Sequence, residues 1–306
     1  MNKSLILAAL LLSALLAPAQ ETYQYATRND TTRLMLDVYR PAHQRADRAC
    51  VVYMFGGGFY LGQRNGEPDV LACSKLADLG FTVVSIDYRL GLRQIDPSDA
   101  SLFKVSTYFG NAVSMAVQDC SAAIAYICAH ADELNIDTAH IVLTGSSAGA
   151  ITVLQTDYCR ANSLPDAKEL PPTFRPLAVI PYAGGILCRN RDMKYATPPA
   201  PTCFFHGTKD RIVNYKRFPM SFSSSQFGAD RVAKIFKKNK FSYWILRYDG
   251  IGHEIAGALP KTTEEFTAFV DAVEAGRRMN YDAHCNDSKI VASEWSKRTV
   301  IDLYLK

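Results

Sequence analysis

Short runs of β-branched and aromatic residues alternate along this chain with longer segments of helical period. This alternation is typical of a mainly parallel sheet whose strands are connected by covering helices. The predicted strands are 22–26, 34–39, 50–55, 82–87, 141–144, 177–181, 202–206 and 242–248. The predicted helices are 69–79, 111–134, 148–160, 229–240 and 262–278. We therefore expect an α/β fold with a central sheet of about eight strands and helices on both faces.

The length and composition favour one large domain. The chain has 306 residues, of which 48% are hydrophobic and 21% charged, as in a globular protein with a substantial core. We expect this domain to span 20–285, followed by an amphipathic, helical C-terminal extension over 286–306. The stretch 90–109 fits neither a strand nor a helix pattern. It is interpreted as a lid or substrate wall, with an ordinary surface loop as the alternative.

The N-terminus has the three parts of an export signal. Lys3 provides a basic start, 5–16 is apolar, and small residues follow at 17–19. The apolar run is well short of the roughly 20 residues that span a bilayer, and no later segment is expected to span one. The sequence therefore predicts cleavage between Ala19 and Gln20, export to the periplasm or the exterior, and no stable membrane insertion.

Charge and cysteine content exclude several other classes. The net charge is +4 and no basic stripe with interleaved aromatics occurs, which argues against nucleic-acid binding. The eight cysteines show no zinc-ligand spacing, so neither a metal site nor a cofactor is expected. Most of them are expected to be buried thiols, although export would also permit disulfides, whose pairing the sequence does not define.

The sharpest local signal is the pattern G-x-S-x-G at 145–149. It lies directly between a predicted strand and an apolar helix, with Ser147 at its centre. The glycines allow a tight turn that exposes a serine at a helix N-terminus, where backbone N–H groups favour developing negative charge. Ser147 is therefore the candidate nucleophile.

Three adjacent glycines at 56–58 follow another predicted strand. Acyl transfer needs backbone donors aimed at the carbonyl oxygen as it becomes an oxyanion. The N–H groups of Gly57, Gly58 and Ala148 are the candidates for this oxyanion hole. A flexible turn without a catalytic role is the alternative interpretation.

A serine nucleophile also needs a base and an orienting carboxylate. His253 lies in a glycine-rich loop after the last predicted strand, and Asp210 follows the strand 202–206. The resulting order Ser, Asp, His is the order of α/β-hydrolases. Asp249 and Glu254 are rival acids because they lie close to His253 in the sequence.

These motifs resemble those of α/β-hydrolase esterases and lipases, especially the carboxylesterase branch related to hormone-sensitive lipase and feruloyl-esterase-like proteins. The resemblance covers roughly 30–278 and includes 85–90 together with the motifs above. It implies ester hydrolysis through an acyl-enzyme, with Gly57 and Gly58 as oxyanion donors and no cofactor. Phe55 departs from the histidine that often precedes the glycines in that family.

The sequence thus predicts a secreted serine esterase acting on short-chain or carbohydrate-linked acyl esters. A serine peptidase or amidase of the same fold is one alternative. A non-catalytic binding protein that kept the scaffold is another.

Overall fold

The computed structural model describes residues 20–29, 31–93, 102–188, 192–221, 224–299 and 302. Nine strands form the central sheet, in the spatial order β1-β2-β4-β3-β5-β6-β8-β11-β12. Their bounds are β1 Gln20–Arg28, β2 Thr32–Tyr39, β3 Cys50–Met54, β4 Thr82–Ile86, β5 Ile141–Ser146, β6 Ala178–Tyr182, β8 Thr202–Gly207, β11 Tyr243–Tyr248 and β12 Asn280–Cys285. A separate antiparallel sheet contains β7 Gly185–Cys188, β9 Arg217–Pro219 and β10 Ser225–Gly228.

The central sheet is mostly parallel. β1 pairs antiparallel with β2, and β2 pairs antiparallel with β4, so the two strands of mixed polarity lie at the sheet edge, as predicted. From β4 to β12 every pairing is parallel. The carboxyl ends of β3, β5, β8 and β11 therefore all lie at one edge of the sheet. The candidate site residues follow these four ends.

Six α-helices accompany the strands in the described residues: α1 Glu67–Asp78, α2 Leu102–Ala129, α3 Ala131–Leu134, α4 Ala148–Ala161, α5 Ala229–Asn239 and α6 Thr263–Glu274. Strands β3 and β4 are buried at every position, as expected for strands covered on both faces. Phe81, which follows α1, packs edge-on against Phe266 of α6, whereas α2 packs against α4. These contacts define two helix pairs, α1 with α6 and α2 with α4.

The stretch 90–109 differs from its prediction. Residues 94–101 lie outside the described part of the chain, and α2 begins at Leu102, nine residues before the predicted helix start at 111. Within α2, Phe109 packs edge-on against Phe59, with 5.4 Å between ring centroids. The missed helical turns are rich in β-branched and aromatic residues, which have weak helix propensity, so tertiary packing determines their structure.

The C-terminal extension also differs from its prediction. Helix α6 ends at Glu274, and Asn280–Cys285 continues the sheet as β12, parallel to β11. Across 286–299 the structure contains one short 3₁₀ turn, Glu294–Ser296, rather than the predicted helix. Polar contacts of Ser293 and Ser296 tie this segment to the loop at 252–254.

Helix α2 corrects the expectation that no segment after the signal is long and apolar enough to span a bilayer. Its segment Ser106–Ala129 is long and apolar enough to span a bilayer by length and composition alone. Within the protein, 61% of its most hydropathic window is buried, and the helix packs against α4 and β1. Such burial is typical of a core helix in a globular domain. The predicted signal, 1–19, lies outside the described residues.

All eight cysteines are free thiols, which agrees with the expectation for most of them. Six are buried: Cys50, Cys73, Cys120, Cys159, Cys188 and Cys203. Burial raises the pKa of Cys120 to about 12, so this thiol stays protonated at neutral pH. No cluster of metal-ligating side chains occurs in the part of the chain that the structure describes.

Candidate active site

Ser147 lies in the sharp turn between β5 and α4. Its backbone has φ 51° and ψ −112°, in the left-handed region that side chains rarely adopt, and its N–H donates to the carbonyl of Tyr182 at 2.9 Å. A Cβ on Gly149 would lie 2.1 Å from the carbonyl oxygen of Met54. The glycine is therefore needed for α4 to start this close to β3, which leaves Ser147 at the carboxyl edge of the sheet.

His253 and Asp210 form a continuous hydrogen-bonded chain with this serine. The Ser147 Oγ lies 2.8 Å from Nε2 of His253, and Nδ1 of His253 lies 2.8 Å from Oδ2 of Asp210. An ionised carboxylate only accepts hydrogen bonds, so Nδ1 carries the proton and Nε2 accepts from the serine hydroxyl. The structure therefore brings together the three side chains that the sequence proposes as the triad.

Asp210 is held as an anion. It is 4% exposed, and its Oδ1 accepts hydrogen bonds from the backbone N–H groups of Ile212 and Val213 at 2.9 and 3.0 Å. Burial alone would raise the pKa of Asp210. The positive charge that His253 carries when its ring is protonated, together with the hydrogen bonds from His206 and His253, outweighs burial and holds the pKa of Asp210 well below its ordinary value.

His206 is a contact of this carboxylate that the sequence reasoning did not identify. Its Nε2 lies 2.9 Å from the carbonyl oxygen of Val213 and 3.4 Å from Oδ2 of Asp210. A carbonyl only accepts, so this nitrogen carries a proton and also faces the carboxylate. The available signal was the spacing of four residues between His206, at the end of β8, and Asp210.

The glycine run lies beside the serine. Gly56 is close enough that a Cβ on it would be 3.4 Å from the Cβ of Ser147. The carbonyl of Gly57 accepts from the N–H groups of Tyr60 and Leu61, which closes a turn. Gly57 and Gly58 line the cavity at the site. Ala148, the third candidate donor, is buried and directly follows Ser147 in the chain.

Phe55 and Tyr88 support this loop. The ring of Phe55 stacks on Tyr88 with centroids 4.4 Å apart, and the Tyr88 hydroxyl donates to the Phe55 carbonyl at 2.9 Å. Leu92 donates its N–H to the carbonyl of Phe59 at 3.0 Å. The region after β4 therefore supports the glycine run from outside the cavity.

A cavity of about 530 Å³ opens at Ser147 and His253. Its other walls are Tyr60 and Leu61 after the glycines, the loop 254–261, and three C-terminal residues, Ile290, Val291 and Trp295. The described parts of 90–109, namely 90–93 and 102–109, contribute no lining residue. The C-terminal segment therefore forms part of the cavity wall, and the interpretation of 90–109 as a lid or substrate wall stays a prediction.

The two rival acids have other partners. Asp249 is exposed and lies 2.8 Å from Nδ1 of His284. Glu254 receives hydrogen bonds from Ser293 and Ser296 of the C-terminal segment. Among the three carboxylates considered, Asp210 is the one hydrogen-bonded to His253.

Known proteins to which this chain is similar include esterases and a lipase. The family model described as BD-FAE matches residues 36–164, less than half of the chain. The arylesterase of Saccharolobus solfataricus is 30% identical over 155 residues, which cover 50% of this chain and 44% of that protein. The acetyl esterase of Salmonella typhi is 27% identical over 138 residues, covering 45% and 36%. Lipase 2 of Moraxella sp. strain TA144 is 30% identical over 103 residues, covering 34% and 20%.

Solved structures extend the likeness to most of the chain. The native esterase Est2 of the planctomycete Thermogutta terrifontis has a TM-score of 0.60 and 22% identity, covering 85% of this chain and 94% of that one. Its propionate-bound form has a TM-score of 0.59 at the same identity, covering 85% and 96%. At this identity the likeness shows the fold. The matched segments are less than half as long as the curated relatives.

Together these findings confirm the expected fold, that of the α/β-hydrolases, and the resemblance to their esterase and lipase branch.

Proposed function

We propose that this chain, an α/β-hydrolase by fold, is a serine esterase that cleaves carboxylic esters through an acyl-enzyme. The observation that carries the proposal is the chain of two 2.8 Å contacts from Ser147 through His253 to a buried, anionic Asp210. A serine hydroxyl is a weak nucleophile, and a histidine base fixed in one tautomer by a carboxylate is the usual means of activating it. The cavity at Ser147 gives a substrate access to this chain of contacts.

In the proposed reaction, Ser147 Oγ attacks the ester carbonyl carbon while its proton passes to Nε2 of His253. The carbonyl oxygen becomes an oxyanion, for which the N–H groups of Gly57, Gly58 and Ala148 are the proposed donors. The tetrahedral intermediate collapses as His253 gives the proton to the departing alcohol, which leaves an acyl group on Ser147. Water, deprotonated by His253, then attacks this acyl group and releases the acid.

The substrates that we propose are short-chain or carbohydrate-linked acyl esters. The name of one relative, an acetyl esterase, supports small acyl groups, as do the propionate- and butyrate-bound forms of Est2. The cavity volume of about 530 Å³ suits a small ester, since ligand pockets typically measure about 300–1,000 Å³. Export through the signal at 1–19 is part of the same proposal, because polymer-linked esters lie outside the cell.

The test compares p-nitrophenyl acetate and butyrate hydrolysis by the wild type and by Ser147→Ala. We expect kcat to fall about 10⁵- to 10⁶-fold in the variant, as when the nucleophile of a serine hydrolase is removed. A fluorophosphonate probe should label the wild type and not the variant. Equal rates in both proteins, or no label on folded wild type, would favour the binding-protein alternative. Cleavage of p-nitroanilides faster than the matching esters would favour the amidase alternative.

A further inference from the structure

The segment 286–299 is tied to the loop of the proposed catalytic histidine. Oε1 of Glu254, the residue after His253, accepts hydrogen bonds from the N–H and hydroxyl groups of both Ser293 and Ser296, at 2.6 to 2.9 Å. The N–H of Gly252, just before the histidine, donates to the Ser296 hydroxyl at 2.9 Å. The docked segment therefore has a fixed position relative to the imidazole.

Packing supports the same docking. A Cβ on Gly252 would lie only 2.4 Å from the Cα of Ser296, so the two backbones are in direct contact there. Ile290 is 6% exposed, and Lys261 donates to the carbonyl of Lys289 at 2.8 Å. The segment is thus held at 289–290 and at 293–296, against the loop that contains His253.

This docking places an aromatic side chain at the cavity. Trp295 lines the cavity, is 41% exposed, and has its ring centroid 6.3 Å from that of His253. The Arg298 guanidinium lies 4.7 Å from the centre of the Trp295 ring and so covers part of it. A large aromatic surface left open beside a reactive group is available for contact with a ligand.

The chemistry of ester cleavage defines which part of a substrate reaches this surface. His253 must hand its proton to the departing alcohol, so the alcohol oxygen lies within about 3 Å of Nε2 in the reacting complex. Groups attached to that oxygen therefore extend along the histidine side of the cavity. Since apolar contact needs about 4 Å, the 6.3 Å between the two rings allows one group to contact both.

We propose that Trp295 binds the leaving alcohol of the ester, with preference for an alcohol that carries a flat ring, and that Glu254 is the positioning residue that holds it there. An aryl ring or the apolar face of a sugar ring fits equally, because both present flat surface to the indole. The inference rests on the proposed esterase function. It assigns selectivity for the alcohol to a segment outside the predicted hydrolase domain.

The test uses esters with one acyl group and different alcohols: ethyl acetate, phenyl acetate and an O-acetylated methyl glucoside. In Trp295→Ala we expect the ratio of kcat/KM for phenyl acetate to that for ethyl acetate to fall about tenfold, the size of a lost aromatic contact. In Trp295→Phe this ratio should fall less, because phenylalanine keeps an aromatic surface. The glucoside distinguishes a preference for aryl alcohols alone from one that includes sugars.

Glu254→Gln should lower the same ratio, because an amide offers a single, uncharged oxygen in place of the carboxylate. The matched control is Glu294→Gln, which removes an exposed carboxylate of the segment that pairs with Lys297 and does not line the cavity. In a Trp244→Phe background Trp295 is the sole indole, and its emission should shift to longer wavelength when Glu254→Gln is added.

Equal losses for phenyl and ethyl acetate in Trp295→Ala would overturn the proposal and leave Trp295 a structural residue. Unaltered ratios in Trp295→Ala and Glu254→Gln would also overturn it, while Ser147-dependent hydrolysis by the wild type would keep the esterase function. Failure of the wild type to hydrolyse any of the three acetates would refute both.

Discussion

Replacing Asp210 by asparagine tests the catalytic assignment, because it should change which nitrogen of His253 carries the ring proton. In the wild type, the Asp210 carboxylate accepts hydrogen bonds from two backbone N–H groups at Oδ1 and from His253 at Oδ2. An asparagine has one accepting oxygen and one donating nitrogen. Its oxygen should face the two backbone donors, since the opposite orientation would oppose its NH₂ group to both, and its NH₂ group then faces Nδ1 of His253.

This orientation forces Nδ1 of His253 to accept and moves the ring proton to Nε2, opposite the Ser147 hydroxyl. The imidazole then cannot take the serine proton. A loss of about 10⁴ in kcat is typical of this tautomer error, which equals about 5.5 kcal/mol of barrier at 1.36 kcal/mol per decade. The fold should persist, because the two substituents have nearly the same shape and the backbone contacts are retained.

The assay is the kcat of p-nitrophenyl acetate hydrolysis at neutral pH, with thermal melting as the check on folding. Asp249→Asn is the matched control, since Asp249 is also near His253 in sequence but pairs with exposed His284. We expect the control to keep its rate. A folded Asp210→Asn that retains more than about a tenth of wild-type kcat, or a large loss in Asp249→Asn, would refute the assignment.

Two further predictions concern processing and pH. When the protein is expressed with its native N-terminus in an exporting bacterial host, we expect to find it outside the cytoplasm. Its intact mass should be that of a chain beginning at Gln20. Cytoplasmic protein that retains 1–19 would contradict export. Glu21→Gln should reduce the free energy of unfolding by at most about 1 kcal/mol at neutral pH, because Glu21 pairs with Arg40 while 38% exposed. Hydrogen bonds from Arg40 and Tyr23 lower the pKa of Glu21 from 4.5 to about 2, so this difference should be present above pH 4.5 and disappear toward pH 2; urea titrations across that range measure it.

The sequence was sufficient to predict the central strands and which candidate residues come together, because both depend on local patterns. The apolar runs at β3, β4, β5, β8 and β11 mark strands buried on both faces, and a parallel sheet collects their carboxyl ends at one edge. The chemistry-bearing residues directly follow those ends. Ser147, Asp210 and His253 therefore converge although 106 residues separate the first from the last.

What the sequence did not reveal depends on contacts between distant residues. Strand β12 is polar and mostly exposed, so it lacks the apolar pattern of the other parallel strands. In the segment after β12, Ser293 and Ser296 donate hydrogen bonds to Glu254, about 40 residues earlier in the chain. A contact over this distance leaves no periodic pattern in the local sequence. The amphipathic pattern of 286–306 instead predicted a helix, because hydrophobic periodicity shows which face of a segment is apolar and not whether polar side chains bind it to a distant residue.

The position of β12 explains how that segment reaches the site. Strand β11 pairs in parallel register with β8 on one side and with β12 on the other, and Tyr248 at its end aligns with both Gly207 and Cys285. Three neighbouring strands therefore end at one level, and the chain that leaves them contributes Asp210, His253 and Trp295 in turn. The wall formed by the last segment therefore meets the imidazole at the same sheet edge as the acid does. Selectivity for the alcohol can then differ through changes in 286–299 while the hydrogen bonds among Ser147, His253 and Asp210 stay the same.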